Sequence, residues 1–198
     1  MKRLALSLFL AGCALTSKST PLEFRYFSPE IAHGGATTAR AQEPMPRLRL
    51  GRLTASANLR YQIVHRASSV EVEPYETLRW TETPVDYVER SLVRALFGSG
   101  RFQQIVSGPG LTLDVSVIAF EEAHRDRRRA GRVRLSYRLH DERAVLLSGV
   151  LEVERDAAAD TIDAVVRAIG TAMDGATAEL AERVAQRMQS EAVSSSTP

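Results

Sequence analysis

The sequence predicts a single α+β domain with a mainly antiparallel sheet, and three observations support this prediction. Three alternating apolar and polar runs follow one another, "LTLDVSVIAFEE", "GRVRLSYRLHD" and "AVLLSGVLEVER". Short polar turns between such runs are typical of an antiparallel meander. Two segments on either side of this block carry apolar residues at helical spacing. The chain of 198 residues is also long enough to bury one core of ordinary size.

Shorter extended elements are predicted before the meander. Residues 22–27 alternate and carry aromatics, which favours a first strand, and residues 28–46 are rich in Gly, Ala, Thr and Pro, which favours a loop. We expect strands at 47–56 and 59–66 to pair with each other. A further extended piece at 69–80 ends at Trp80, and a short strand is expected at 101–106.

Both helices carry start signals. Thr83 stands at the N-cap, Pro84 at the first helical position, and Asp86 where the reciprocal carboxylate of a capping box belongs. The last helix is expected to be capped by Asp160 and to remain apolar on one face as far as Met188. Residues 191–198 are low in apolar content and are predicted to be disordered.

The N-terminus has the layout of an export signal. Lys2 and Arg3 precede an apolar run at 4–11, which is far below the roughly 20 residues that span a bilayer. The only cysteine, Cys13, follows Leu-Ala-Gly, and this arrangement resembles the bacterial lipobox. The alternative is a soluble secreted protein whose cysteine is a chance residue or an ordinary buried thiol.

The lipobox resemblance implies a lipid anchor on Cys13. It implies diacylglyceryl transfer to the thiol, cleavage before Cys13 and acylation of the new amino group. The palmitate-type chains attached in this way would make the membrane a partner. Several chains on one residue give a stable attachment where one chain is marginal. In bacterial lipoproteins, aspartate directly after the cysteine favours retention in the inner membrane. Here the residue is Ala14, which implies sorting to the periplasmic face of the outer membrane. The expected organisation is a signal peptide at 1–12, a lipidated tether at 13–21, a domain at 22–190 and the tail.

Charge and motif content argue against several function classes. The formal net charge is +2, and without Lys2 and Arg3 the chain has 24 basic and 24 acidic side chains, so no global field attracts nucleic acid. A single cysteine excludes a disulfide framework. No P-loop and no nucleophile motif occurs. The four histidines lie in different elements without metal-ligand spacing: His33, His65, His124 and His140. We therefore predict no enzyme, no cofactor and no metal.

Two features are candidate contact sites. The run "HRDRRRAGR" lies at the tip of the first meander hairpin, where clustered arginines could bind lipid phosphates or an acidic partner. These arginines are Arg125, Arg127, Arg128, Arg129 and Arg132. The alternative is a solvated tip whose charges discourage edge-to-edge pairing. Trp80, the only tryptophan, either packs in the core or presents an aromatic ring at a binding groove.

The order of these elements behind a lipobox resembles the ABC-type transport auxiliary lipoproteins. The segments that carry the resemblance are "LRYQIVHR", "LRWTETPVDYVERSLVRAL" and "YRLHDERAVLLSGVLEVE". This family accompanies paraquat-inducible and Mla-like systems that contain a mammalian-cell-entry (MCE) domain protein. The resemblance implies an α/β sandwich with two helices on one face of the sheet.

The resemblance also implies a function. The protein would be an accessory or docking component of an intermembrane lipid transport system, with the MCE-domain protein, the ABC permease and ATPase, and phospholipid as candidate partners. Two alternatives stay open. One is a carrier that binds lipid or another hydrophobic solute in an apolar cleft. The other is a lipoprotein that assists outer-membrane assembly or stabilises the envelope.

Overall fold

The computed structural model describes residues 22–30, 45–125 and 128–194, without the side chains of residues 125 and 191–194. The predicted signal peptide, the tether, most of the expected loop at 28–46 and the last four residues lie outside the described part. The elements within it are β1 (Arg25–Phe27), β2 (Arg47–Ala55), β3 (Gln62–Arg66), β4 (Val72–Trp80), α1 (Pro84–Phe97), β5 (Gln103–Gln104), β6 (Leu111–Arg125), β7 (Arg128–His140), β8 (Val145–Asp156) and α2 (Ile162–Ser194).

The predicted meander is confirmed, but the prediction of a mainly antiparallel sheet is wrong, because four of the other strand pairs are parallel. β6, β7 and β8 pair antiparallel, and so do β3 and β4. The pairs β1–β4, β2–β5, β2–β6 and β3–β6 are parallel. The sheet is therefore mixed, with the long strand β6 at its centre.

The expected pairing of the second and third strands with each other also does not form. β2 lies beside residues 111–117 of β6, and β3 follows along the same edge, where His65 is opposite Glu122. The two strands run in the same direction, one behind the other, along one side of β6. Because they share an edge in this way, their backbone groups hydrogen-bond to β6 rather than to each other.

The first helix begins as the sequence predicts, whereas the cap of the second differs. The Asp86 carboxylate accepts a hydrogen bond from the Thr83 backbone N–H at 3.0 Å and one from the Thr83 hydroxyl. At α2 the cap is Thr161 instead of Asp160, because the Thr161 hydroxyl accepts from the Ala164 N–H at 3.3 Å. The helix continues to Ser194, beyond the end of the apolar pattern at Met188.

Both helices pack on one face of the sheet and touch each other. The hydroxyls of Ser91 in α1 and Thr177 in α2 lie 2.7 Å apart at this contact. Apolar side chains from all layers fill the space between helices and sheet, and among the largest are Leu48, Trp80, Tyr87, Leu92, Phe120, Leu135, Ile169 and Met173. The opposite face of the sheet carries no helix among the described residues.

Candidate functional site

Two consecutive glutamates near the end of β6 are buried. Glu121 and Glu122 have exposed fractions of 1% and 0%. Successive strand residues point to opposite faces, so one carboxylate lies on each side of the sheet. A buried carboxylate is destabilising unless charged or hydrogen-bonding partners compensate for its lost hydration. Each glutamate has such partners, and they come from the arginine-rich hairpin and from neighbouring strands.

Glu122 is held by a bidentate arginine and a tyrosine. Arg129 Nε and Nη2 donate to its two carboxylate oxygens at 2.6 and 2.8 Å, and the Tyr75 hydroxyl donates at 2.6 Å. Burial alone would raise the pKa of Glu122, but the hydrogen bonds from Arg129 and Tyr75 outweigh it, so this pKa lies below its ordinary value. Burial and the hydrogen bond to Glu122 raise the pKa of Tyr75 to about 12.

Glu121 is held in a similar way on the other face of the sheet. Arg66 Nε of β3 donates to the Glu121 carboxylate at 2.8 Å, and Arg132 of β7 donates to the same oxygen. The two glutamates thereby join β6 to its neighbours on both sides. We call this group the hairpin root, and it consists of Arg66, Tyr75, Glu121, Glu122, Arg129 and Arg132.

The basic run predicted as a contact site therefore divides into two parts. The side chains of Arg129 and Arg132 are only 18% and 17% exposed, and buried glutamates neutralise their charges. The side chain of Arg128 is 79% exposed, and its ion pair with Asp156 is long, at 4.0 Å. The side chains of Arg125 and Arg127 lie outside the described part. Of the described arginines in the run, Arg128 is the one that faces solvent.

Of the two roles considered for Trp80, the structure shows packing. The ring is 1% exposed and makes edge contacts with Phe120 and Tyr87, whose ring centroids lie 5.4 and 6.2 Å away. Tyr87 of α1 is itself 1% exposed. Its hydroxyl lies 2.7 Å from the Thr81 hydroxyl, which explains how a tyrosine is accommodated there.

The helix-free face of the sheet is polar at its centre. Asp114 accepts a hydrogen bond from the Arg52 backbone N–H at 2.8 Å, and His140 Nε2 lies 3.2 Å from its other oxygen. Burial opposes ionisation of Asp114, but these hydrogen bonds and nearby Arg138 keep its pKa below the ordinary value. Asp114 therefore stabilises the irregular part of β2 near Gly51 by accepting hydrogen bonds, and its role is structural.

The described residues offer little for metal binding. In residues 22–30, 45–125 and 128–194, no three histidine, cysteine, aspartate or glutamate side chains come together as metal ligands do. His124 and His140 each approach one carboxylate, at 3.3 Å from Glu122 and 3.2 Å from Asp114. His33 and Cys13 lie outside the described part. The described helices also include none with the length and hydropathy needed to cross a membrane.

Comparison with solved structures shows the fold. Protein XCC0632 from Xanthomonas campestris is 20% identical, with a TM-score of 0.71, and the match covers 85% of this chain and 99% of that one. The hypothetical protein CT253 from Chlamydia trachomatis is 10% identical, with a TM-score of 0.51 and coverage of 71% and 96%. No curated protein matches the chain.

Comparison with family models identifies the same family that the order of strands and helices resembles. One model, described as the ABC-type transport auxiliary lipoprotein component, matches residues 30–185. This range includes both helices except the end of α2, and all strands except β1. The description is that of a transport component and not of an enzyme. The chain belongs to the ABC-type transport auxiliary lipoprotein family.

Proposed function

We propose that this protein is the accessory lipoprotein that docks an MCE-type, ABC-driven lipid transport system at the outer membrane. Acyl chains on Cys13 hold one end in the periplasmic leaflet, and the folded domain engages the MCE-domain protein. The observation that carries this proposal is the family match over residues 30–185. Within the assembly, the permease and ATPase supply the energy, and this chain supplies attachment and position.

The packing of the domain supports docking over cargo carriage. A carrier needs an apolar cavity large enough to shield an acyl chain. Here the space between helices and sheet is occupied by close-packed side chains, including Leu92, Phe120, Met173 and Leu180, all fully buried. A rigid, filled domain suits a component that positions other proteins.

The exposed part of the basic hairpin is the contact surface that we assign to the partner or to phospholipid headgroups. Arg128 lies next to Arg129, whose ion pair with Glu122 fixes the hairpin near its turn. A solvent-exposed arginine on a rigid support loses little conformational freedom beyond its own side chain when it binds an anion. In the sequence Arg127 directly precedes Arg128, and Arg125 lies two residues further back, beyond Asp126.

Affinity purification of the full-length lipidated protein from detergent-solubilised envelope, followed by mass spectrometry, tests the docking role. We expect recovery of an MCE-domain protein, with or without its permease and ATPase. Arg128→Ala should lower this recovery. The matched control is Arg167→Ala, which removes an exposed arginine from α2 and should leave recovery unchanged. Stoichiometric bound lipid without any protein partner would contradict docking and favour a carrier.

A further inference from the structure

Exposed aromatic side chains gather at one corner of the sheet. Phe24, Tyr26 and Tyr61 are 45%, 65% and 56% exposed. Together with Arg79, they line one shallow concavity that Trp80 and Thr81 complete. We call Phe24, Tyr26, Tyr61 and Arg79 the aromatic corner. Exposed aromatics on soluble proteins are usually scattered singly, so a cluster of three indicates a contact surface.

Strand geometry directs this corner away from the helices. Phe27 packs against the core, and Arg25 approaches Asp163 of α2 at 3.8 Å, so these two point to the helix side. Phe24 and Tyr26 alternate with them and therefore point to the helix-free side. Tyr26 is opposite Arg79 in the parallel β1–β4 pair, which places the arginine on the same side.

The corner is held in place before any partner arrives. The Arg79 guanidinium lies over the Phe24 ring, 4.8 Å from its centroid, and donates to the carbonyls of Tyr75 and Glu76 at 3.1 and 2.9 Å. The Tyr61 carbonyl accepts the Trp80 N–H, which joins β3 to the end of β4. The aromatic rings thus extend from strands that the core fixes, and ordering them on binding requires little further loss of backbone freedom.

The aromatic corner lies next to the start of the folded domain, and this position indicates which surface it contacts. Leu22, 56% exposed, is the first described residue and leads directly into β1. Leu22 is only nine positions after Cys13, so a fully extended tether spans at most about 30 Å. A domain attached through so short a tether stays close to the leaflet that holds the acyl chains. The strand that follows the tether is also the one that presents Phe24 and Tyr26.

We propose that the aromatic corner contacts the lipid headgroup region of the anchoring membrane and sets the orientation of the domain there. The inference rests on the proposed acyl anchor at Cys13. Tyrosine rings are enriched at membrane–water interfaces because an apolar ring and a polar hydroxyl suit the two sides of that boundary, and the phenylalanine ring adds apolar surface beside them. Arg79 adds a cation beside the Phe24 ring, where anionic headgroups attract it. The acyl chains give attachment, and the corner restricts rotation about it.

Fluorescence quenching by brominated acyl chains tests this orientation. The full-length lipidated protein is reconstituted into phosphatidylethanolamine and phosphatidylglycerol vesicles, with and without bromine on the lipid chains. Tyr61→Trp places a reporter in the corner, and Tyr26→Trp provides a second. The control is Val106→Trp, at a residue 90% exposed on the loop before β6, at the end of that strand away from β3. The native Trp80 is buried, and the wild-type protein in the same vesicles gives its contribution, which is subtracted.

We expect both corner reporters to lose fluorescence in brominated vesicles and the Val106→Trp reporter to keep it. Equal emission of the corner reporters with and without bromine, in protein that floats with the vesicles, would overturn the membrane contact and leave the anchor intact. A corner reporter that responds to added MCE-domain protein and not to bromine would assign the corner to a protein, which also overturns the proposal. Protein that carries no acyl chains and does not float would refute the proposed anchor itself.

Discussion

Arg129 and the fully buried Glu122 form a bidentate ion pair, with donor–acceptor distances of 2.6 and 2.8 Å. They are seven positions apart in the chain, on the two strands of the β6–β7 hairpin. Tyr75 from β4 completes the carboxylate's hydrogen bonds, so a group close to the turn of this hairpin connects three strands. The arginine-rich segment suggests a ligand site when only the sequence is considered. In the structure, part of it stabilises the fold instead.

Removal of Arg129 should destabilise the protein strongly. Arg129→Ala leaves Glu122 buried without its counter-charge, and breaking a buried pair in this way costs about 3–5 kcal/mol. Arg128→Ala is the matched control, because its exposed side chain should change the free energy of unfolding by no more than about 0.5 kcal/mol. Urea denaturation of the purified proteins measures both. Equal stability of the two variants would show that the ion pair contributes nothing to the fold.

The pH dependence of stability should report on Glu122. Its folded pKa lies below the ordinary value of 4.5, so its contribution is fully present above about pH 4.5 and disappears as the pH falls through the folded pKa. Glu122→Gln cannot ionise. The difference in free energy of unfolding between wild type and this variant should therefore be largest near neutral pH and shrink below pH 4.5. Denaturation curves from pH 3 to 7 test this, and a constant difference would contradict it.

Two glycines should respond to alanine in opposite ways. A Cβ on Gly131 in β7 would overlap the backbone of Ala168 and Ile169 in α2, so Gly131→Ala must push helix and sheet apart. We expect a loss of several kcal/mol in thermal or urea unfolding, as for other overpacked cores. Gly175 lies within α2, where a Cβ would come 3.3 Å from a flexible Arg155 guanidinium nitrogen. Gly175→Ala should gain up to about 1 kcal/mol from helix propensity.

Cys13 should be the site of acylation. Cys13→Ser removes the only thiol, so labelling with a palmitate analogue should disappear, and we expect release of the protein from membranes. Circular dichroism of this variant should match the wild type, because the substitution lies far in sequence from the core elements. Label retained by Cys13→Ser, or a variant that remains bound to membranes, would contradict the lipobox interpretation.

Locally determined elements could be predicted from the sequence, whereas long-range pairings could not. The start of α1 is determined by Thr83 and Asp86, which lie within four residues of each other, and the meander strands are neighbours in the chain. The parallel β2–β6 pair joins residues more than fifty positions apart, and alternation looks the same in parallel and antiparallel strands. The cap of α2 was predicted one residue too early because Asp160 and Thr161 are both good N-cap residues.

The hairpin root escaped prediction for a related reason. Glutamate is rarely buried, so "FEE" at the end of an apolar strand is normally taken as the exit from the core. Tyr75 is 47 residues from Glu122, and no local pattern connects them. One signal was available: two consecutive glutamates in a strand must face opposite sides, and one of those sides was already expected to be the core.

The most direct test of the docking account is lipid transfer between two vesicle populations. One contains the purified MCE transporter with its permease and ATPase, and the other contains the lipidated protein. The vesicles with the transporter are the donors and carry a fluorescent phospholipid, and the vesicles with the lipoprotein are the acceptors. With ATP present, we predict faster transfer when the acylated wild-type protein is in the acceptor vesicles than when it is absent. Transfer at the same rate with and without the lipoprotein would contradict the account.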